Sequence, residues 1–325
     1  MTVAGEISVS AGDYPKALRD YTEAMRLYTE TADPQGIGSS YGNLGYVNLL
    51  LGNLKDAIKH NEQAIALTRQ ANSKLELDLL LGNLADAFFA AGDIQSATKH
   101  LEEAFAINQE TGDKRVLSYL HTSRSRLLFV EARLEESRRE AELAVKTCME
   151  LNDEAGAQQR RLLFARLDIA EKHPQLGVET ARKALSDSNS RKDGDGQIES
   201  RTVLLEALLA TTTEDSKREI ASLAKLAPNT HGVDLRLAAN LQIARARFAL
   251  GDGADASELL TEVRSESQRL GYEIRRLEAE LALAETQVQS ADSPEGRRQA
   301  DRITKLAEGK GLMLIAKRAK ALGGN

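Results

Sequence analysis

Ala11-Gly12-Asp13-Tyr14, Leu51-Gly52-Asn53-Leu54 and Ala91-Gly92-Asp93-Ile94 decide how this chain folds, because the three stretches repeat one pattern at one interval of 40 residues. Five residues after each glycine stands an alanine (Ala17, Ala57, Ala97), and twelve after it another (Ala24, Ala64, Ala104). Upstream, Asn43-Leu44-Gly45 and Asn83-Leu84-Ala85 recur at the same interval. Self-similarity at such a period is the mark of a stacked-repeat architecture. The cause is steric. Small side chains where helices cross let backbones approach closely, and glycine in the turn admits positive φ.

Beyond residue 111 the pattern fades but holds its spacing. Ala132 is followed by Ser137 and Ala144, and Gly177 and Ala184 lie on a helix that opens after Pro174. The weakest copy has Lys217 and Ala224 at these places, and Gly251-Asp252 with Ala256 and Val263 resumes the pattern one residue early. A last helix pair is expected at 272–289 and 294–309, then a short helix from Leu312 to Leu322. Asp33, Ser73, Asp113, Asp153 and Asp193 stand 40 apart, each ahead of a helical pattern, where N-caps belong. Pro34 follows Asp33 in the favoured first helical position.

Leu-Gly on the first helix, Gly at the turn and two small residues on the second helix resemble the tetratricopeptide repeat. The common form has about 34 residues. The longer period is similar to the repeats of kinesin light chains, of polarity adaptors with Leu-Gly-Asn repeats, and of bacterial regulators such as the maltose activator. The resemblance implies an all-α fold, a right-handed α-solenoid of about eight antiparallel helix pairs closed by a C-terminal capping helix. Residues 1–325 then form a single superhelical domain: clear repeats over 1–188, an inter-repeat turn at 189–196, degenerate repeats over 197–309 and the cap at 311–322. Contacts between neighbouring hairpins alone are expected to build an extended curved rod. Ala4-Gly5 stands where Leu44-Gly45 stands one period later, so the first helix would open ahead of Met1 and the chain reads as a fragment of a longer protein.

Composition agrees and excludes several functions. Hydrophobic residues are 42% but aromatics only 4%, with no Trp, so Leu and Ala must make the core. A net charge of −6, from 43 basic and 49 acidic residues, argues against nucleic acid and anionic membranes as partners. The first ten residues lack a signal-peptide profile, and the single cysteine, Cys148, permits no intrachain disulfide. A cytoplasmic location fits these features.

Motifs that carry chemistry are absent or defective. Lys192-Asp193-Gly194-Asp195-Gly196 mimics the middle of a calcium loop, but Arg191 and Thr202 stand where its terminal carboxylates should be. His60 and His100 occupy equivalent places without a neighbouring carboxylate or thiolate, which favours packing over metal binding. Cys148 reads as a buried structural thiol. The basic segment after Glu308, with Lys310, Lys317, Arg318 and Lys320, reads as a helix covering the last repeat. No cofactor, metal or catalytic residue is expected.

The resemblance also implies where a ligand would sit. In the family, contacts recur on the first helix of each pair, two, five, six, nine, twelve and thirteen residues into the repeat. With Leu44 as the seventh, the sixth position gives Asn43 and Asn83, whose amides resemble those that grip extended peptides. The ninth gives Tyr46, Asp86, Arg126, Arg166, Glu206 and, after the one-residue shift, Arg245. Arg126 and Arg166 on adjacent repeats would suit an acidic peptide. Gly42 and Tyr46 occupy two places of the family's two-carboxylate clamp, so that clamp is incomplete. The expected function is a non-catalytic scaffold that binds a peptide or protein segment in its concave groove, the interaction part of a bacterial signalling protein. The alternative is a small-molecule-sensing domain controlling an attached effector.

Overall fold

The computed structural model describes residues 2–324 apart from 72, 75, 212 and 292, and at 213, 214, 290 and 291 the backbone only. Among the described residues every regular element is a helix, in eight antiparallel pairs and one more. The pairs are α1 (Thr2–Ser10) with α2 (Tyr14–Glu30), α3 (Pro34–Leu50) with α4 (Leu54–Gln70), α5 (Leu77–Ala90) with α6 (Ile94–Thr111), and α7 (Lys114–Val130) with α8 (Leu134–Glu150). They continue as α9 (Glu154–Ala170) with α10 (Pro174–Arg191), α11 (Gly194–Leu209) with α12 (Thr213–Leu226), α13 (Val233–Ala249) with α14 (Gly253–Leu270), and α15 (Glu273–Ala291) with α16 (Pro294–Gly309). A short 3-10 turn, Ala227–Asn229, follows α12, and α17 (Met313–Gly323) ends the array.

The periodicity is a backbone property before it is a packing one. Gly12, Ala32, Gly52, Gly92, Gly112, Ala132, Asn152, Lys172 and Lys192 all take φ between 51° and 82°, on a 20-residue grid. The reversals at these positions thus pass through the left-handed region, where glycine is unstrained, while the link from α12 to α13 runs through the 3-10 turn with Gly232 at φ −72°. The carboxylates of Asp33, Asp113, Asp153 and Asp193 accept amide hydrogen bonds from the first turn of the following helix, as do those of Asp13 and Asp93. The calcium-loop mimic is therefore a helix start, with Asp193 capping α11. The turn there is only Lys192 and Asp193, shorter than the 189–196 expected.

Ser73 does not cap. The helix α5 begins at Leu77, behind Glu76 at φ 66°. Asp78 sets that late start: it is buried, and it accepts hydrogen bonds from Asn108 (2.8 Å) and Thr111 (2.8 Å), tying α5 to the end of α6.

Ala17, Ala24, Ala57, Ala64, Ala97 and Ala104 are all fully buried at the helix crossings. A Cβ on Gly45 would lie 2.5 Å from the Asn61 side chain, so the first and second helices of that pair touch as closely as glycine allows. In α12 the two core positions of the pattern are held by Ser216 and Leu223, both buried, while Lys217 is exposed. The one-residue slip seen at Gly251 therefore arises a helix pair earlier than the sequence pattern places it, and no lysine enters the core.

The expectation of an open rod held by neighbours alone is corrected. The superhelix coils tightly enough for its second turn to rest on its first. Tyr14 donates to Asp195 (2.6 Å) across 181 residues, and Tyr272 donates to the Leu49 carbonyl (3.0 Å) across 223. His231 Nδ1 lies 3.0 Å from the Gly12 carbonyl oxygen. Cβ atoms on Gly52 and Gly92 would meet Val233 at 3.0 Å and Glu273 at 2.7 Å. One hydrophobic cluster accordingly joins Leu81, Leu101 and Leu120 to Leu277, Leu281, Ile303 and Ile315. The last helix, α17, covers α15 and α16 and also reaches α7.

Candidate binding site on the inner face

Close coiling brings the first helices of non-adjacent repeats to face one another. The charges of Arg126 on α7 and Arg166 on α9, which are not its sequence neighbours, are felt at Asp234 of α13, so both cations lie within its electrostatic reach. Among the ninth-position residues, Tyr46 keeps 38% of its surface exposed, yet burial inside the coil pushes its phenol pKa up, and Asp86 and Asp195 add to the shift. The Tyr46 hydroxyl has no hydrogen-bond partner among the described residues. Tyr119 of α7 donates to Asp86 (3.0 Å) and to Asn83 (3.3 Å). Burial and then the Asp86 charge raise the Tyr119 pKa, so its proton stays in place.

The expected cationic stretch is only partly free. Arg126 has Nη1 3.7 Å from Asp86 and its guanidinium 4.8 Å above the Phe89 ring. Arg166 forms no ion pair within 4.0 Å among the described residues, and its charge is felt at Asp234 from farther off. Asp234 itself holds Arg275 through two hydrogen bonds (2.8 and 2.9 Å), and Arg275 also reaches Glu278 (2.9 Å). Arg245 is 3.9 Å from Glu285, and its Nε and Nη2 are buried without hydrogen-bond partners. Burial, then the Arg318 charge, lowers the Arg245 pKa. Asn43 is half-buried and Asn83 fully buried.

Several inner residues escaped the sequence reading. Gln242 sits one turn before Arg245, at the sixth position once the shift is applied, and its buried Oε1 has no partner. Tyr119 falls at the second position by the same spacing. Carrying the register through every position would have found both. Asp195, Asp234 and Arg275 enter through coil closure, which no local spacing reports. His60 and His100 pack against rings, His100 stacked on Phe88 at 5.5 Å and His60 beside Tyr41 at 5.8 Å. Cys148 is buried beside Ser118. Among the described residues no group of three or more His, Cys, Asp or Glu could hold a metal ion, and no helix is long and apolar enough to cross a membrane.

Models of the tetratricopeptide repeat match residues 4–70 and 80–111. No curated protein matches the chain. Among solved structures, the Rap protein complexed with competence and sporulation factor is similar at a TM-score of 0.64 and 12% identity, over 87% of this chain and 80% of that one. A signal transduction ATPase with numerous domains and a tetratricopeptide repeat sensor, from Pyrococcus horikoshii, is similar at a TM-score of 0.51 and 13% identity, over 95% of this chain. This chain spans 50% of that protein's length. At such identities the likeness is one of fold. The stretches 4–70 and 80–111 are tetratricopeptide repeats, and the same helix-pair architecture continues from them through α16.

Proposed function

We propose that this protein is a non-catalytic interaction scaffold that holds a peptide or protein segment against the inner face of its coil. One observation carries the reading: the inner helices hold buried polar groups without hydrogen-bond partners, Gln242 Oε1 and Arg245 Nε, and Arg245 Nη2 has only Glu285 at 3.9 Å. A buried polar atom without a partner costs roughly 1–3 kcal/mol, which a ligand supplying the missing bonds would recover. Arg166 offers a place for an acidic group, since no carboxylate within ion-pair distance occupies it. Neither nucleic acid nor a membrane surface fits an inner face of mixed charge. The reading takes residues 1–325 as one unit, the cytoplasmic regulatory or interaction part of a bacterial signalling protein. The Rap protein, solved with a bound factor, and the sensor-bearing ATPase support that direction.

The test is selection of short peptides from a random display library on the full chain. Peptides that bind the parent, and bind at least about tenfold more weakly to Arg166→Ala and Asn83→Ala, support the groove. Selected peptides indifferent to both changes would place the interaction elsewhere. The tight coil favours one second reading, a small-molecule sensor, because an interior bounded by two superhelical turns suits a compact ligand. A metabolite panel that raises Tm where no peptide is retained would favour it.

A further inference from the structure

We propose that Tyr46, Asp86 and Asp195, with Tyr14 and Tyr119 behind them, form a subsite for the positively charged group of the ligand, an alkylammonium or a guanidinium. The inference rests on the inner-face reading above and adds the chemistry of one end of the ligand. Tyr46 is the only aromatic among the large, exposed apolar side chains of the described residues. Leu79, also exposed at 37%, stands at the repeat position of Tyr119 one period earlier and so belongs to the same lining. An aromatic ring and a leucine left open inside a coil are ready to cover the apolar stem that carries a charged head.

The charges specify the sign. Asp195 accepts the Tyr14 hydroxyl at 2.6 Å and makes no ion pair among the described residues. Asp86 accepts the Tyr119 hydroxyl and has a single guanidinium, Arg126, 3.7 Å away. Two carboxylates against one guanidinium leave a net charge of about −1 beside an aromatic face, the arrangement that attracts a monocation. Geometry places Tyr46 beside both: Asp86 holds the same repeat position on the next inner helix, and Tyr14, whose hydroxyl Asp195 accepts, packs with Leu44 and Val47 of α3 on either side of Tyr46. Electrostatics at the Tyr46 hydroxyl agree, since both charges felt there are carboxylates. Tyr14 and Tyr119 spend their protons on the two aspartates and so hold them in place. Tyr46, whose hydroxyl is unengaged, is left to meet the ligand.

The experiment follows ring NMR signals of Tyr14 and Tyr119 in the full chain during titration with three probes. N-acetyl-arginine amide carries a guanidinium without a free amine, glycinamide an α-ammonium without a side chain, and N-acetylglycine only a carboxylate. A saturable shift with one or both cations, weakened about tenfold or more by Tyr46→Ala and by Asp195→Asn, is expected. A response to the guanidinium alone assigns the subsite to a basic side chain, and to glycinamide alone to a chain N-terminus. No saturable response to either cation, or responses untouched by both substitutions, overturns the subsite. So does tighter binding of N-acetylglycine. If Asp195→Asn melts the coil, Tyr46→Ala decides, because its side chain is exposed. Cation binding with no peptide selected from the library would remove the peptide reading and leave the subsite standing. Inner-face peptides that all lack a positive charge would remove the subsite alone.

Discussion

Tyr272, the residue before α15, gives its hydroxyl hydrogen to the backbone carbonyl of Leu49 near the end of α3, 223 residues earlier. The same carbonyl accepts the Gly52 amide (3.2 Å), so one turn of the first superhelical circuit is bonded directly to the second. A repeat array held by nearest neighbours can fray from either end. Bonds across the coil couple early repeats to late ones instead. Tyr272→Phe keeps the ring, buried at 1% exposure, and removes only the donor. We expect a loss of about 1 kcal/mol in urea unfolding. Faster amide exchange should follow in both α3 and α15. Exchange that quickens in α15 alone would show that the two circuits are not coupled.

Turn geometry gives a stabilising prediction. Ala132 holds φ 58° at the grid position where Gly12, Gly52 and Gly92 stand. A non-glycine residue there costs roughly 1–2 kcal/mol in backbone strain. Ala132→Gly relieves it, offset by the greater freedom of glycine in the unfolded chain. A net gain of about 0.5–1 kcal/mol is expected, read as a rise in Tm. An unchanged or lowered Tm would mean that the turn is not strained.

The alanine and glycine spacing was legible because it encodes a local fact, how closely one helix approaches the next. Asp33, Asp113, Asp153 and Asp193 were legible for the same reason, since a cap acts within its own turn. Ser73 misled because Asp78, buried against Asn108 and Thr111, draws the start of α5 inward by a contact about 30 residues long in sequence. Ser216 rather than Lys217 takes the small position in α12, a slip that spacing reveals only after Gly251. Coil closure was hidden for a deeper reason. Pitch is the sum of small rotations over many repeats, and no single repeat states it. The repeat register could therefore name candidate inner-face columns, but not Asp195 and Asp234, which reach Tyr14 and Arg275 through the coil.

Two glycines of α3 should respond oppositely to the same change. A Cβ on Gly45 would come within 2.5 Å of Asn61, which is fully buried and donates to the Ala57 carbonyl (2.8 Å), so it cannot swing away. A Cβ on Gly38 would meet only Leu67, at an ordinary 3.8 Å. Overpacking costs about 1–3 kcal/mol, while replacing a helical glycine by alanine gains up to about 1 kcal/mol. Gly45→Ala is thus expected to destabilise and Gly38→Ala to stabilise, both measured as a shift in urea midpoint. Equal shifts of one sign would show that the helix crossing at Gly45 is looser than described.

Acid should weaken the fold in two separable steps. Burial lowers the pKa of His100 below its ordinary 6.5, and its Nδ1 is buried without a partner beside Phe88. Because the native state prefers the neutral ring, the unfolded chain takes up the proton first. The stability contributed by this group is complete above pH 6.5 and is lost as pH falls from there toward the native pKa. His60, lowered mainly by burial too, adds to the same step. Glu273 behaves differently. Hydrogen bonding from Arg276 holds its carboxyl below the ordinary 4.5, against the opposing effect of burial. Its contribution is present above pH 4.5 and disappears as pH falls through the lowered native value. Lys310 lies 3.6 Å from the same carboxylate, and the Glu273 side chain backs the Gly92 turn, so this second step also loosens the contact between coil turns. Unfolding free energy measured against pH should therefore fall first below 6.5, a step that His100→Phe diminishes, and again below 4.5, a step that Glu273→Gln diminishes. A profile level from neutral pH down to 4.5 would show that His100 and His60 are as easily protonated in the fold as in the open chain.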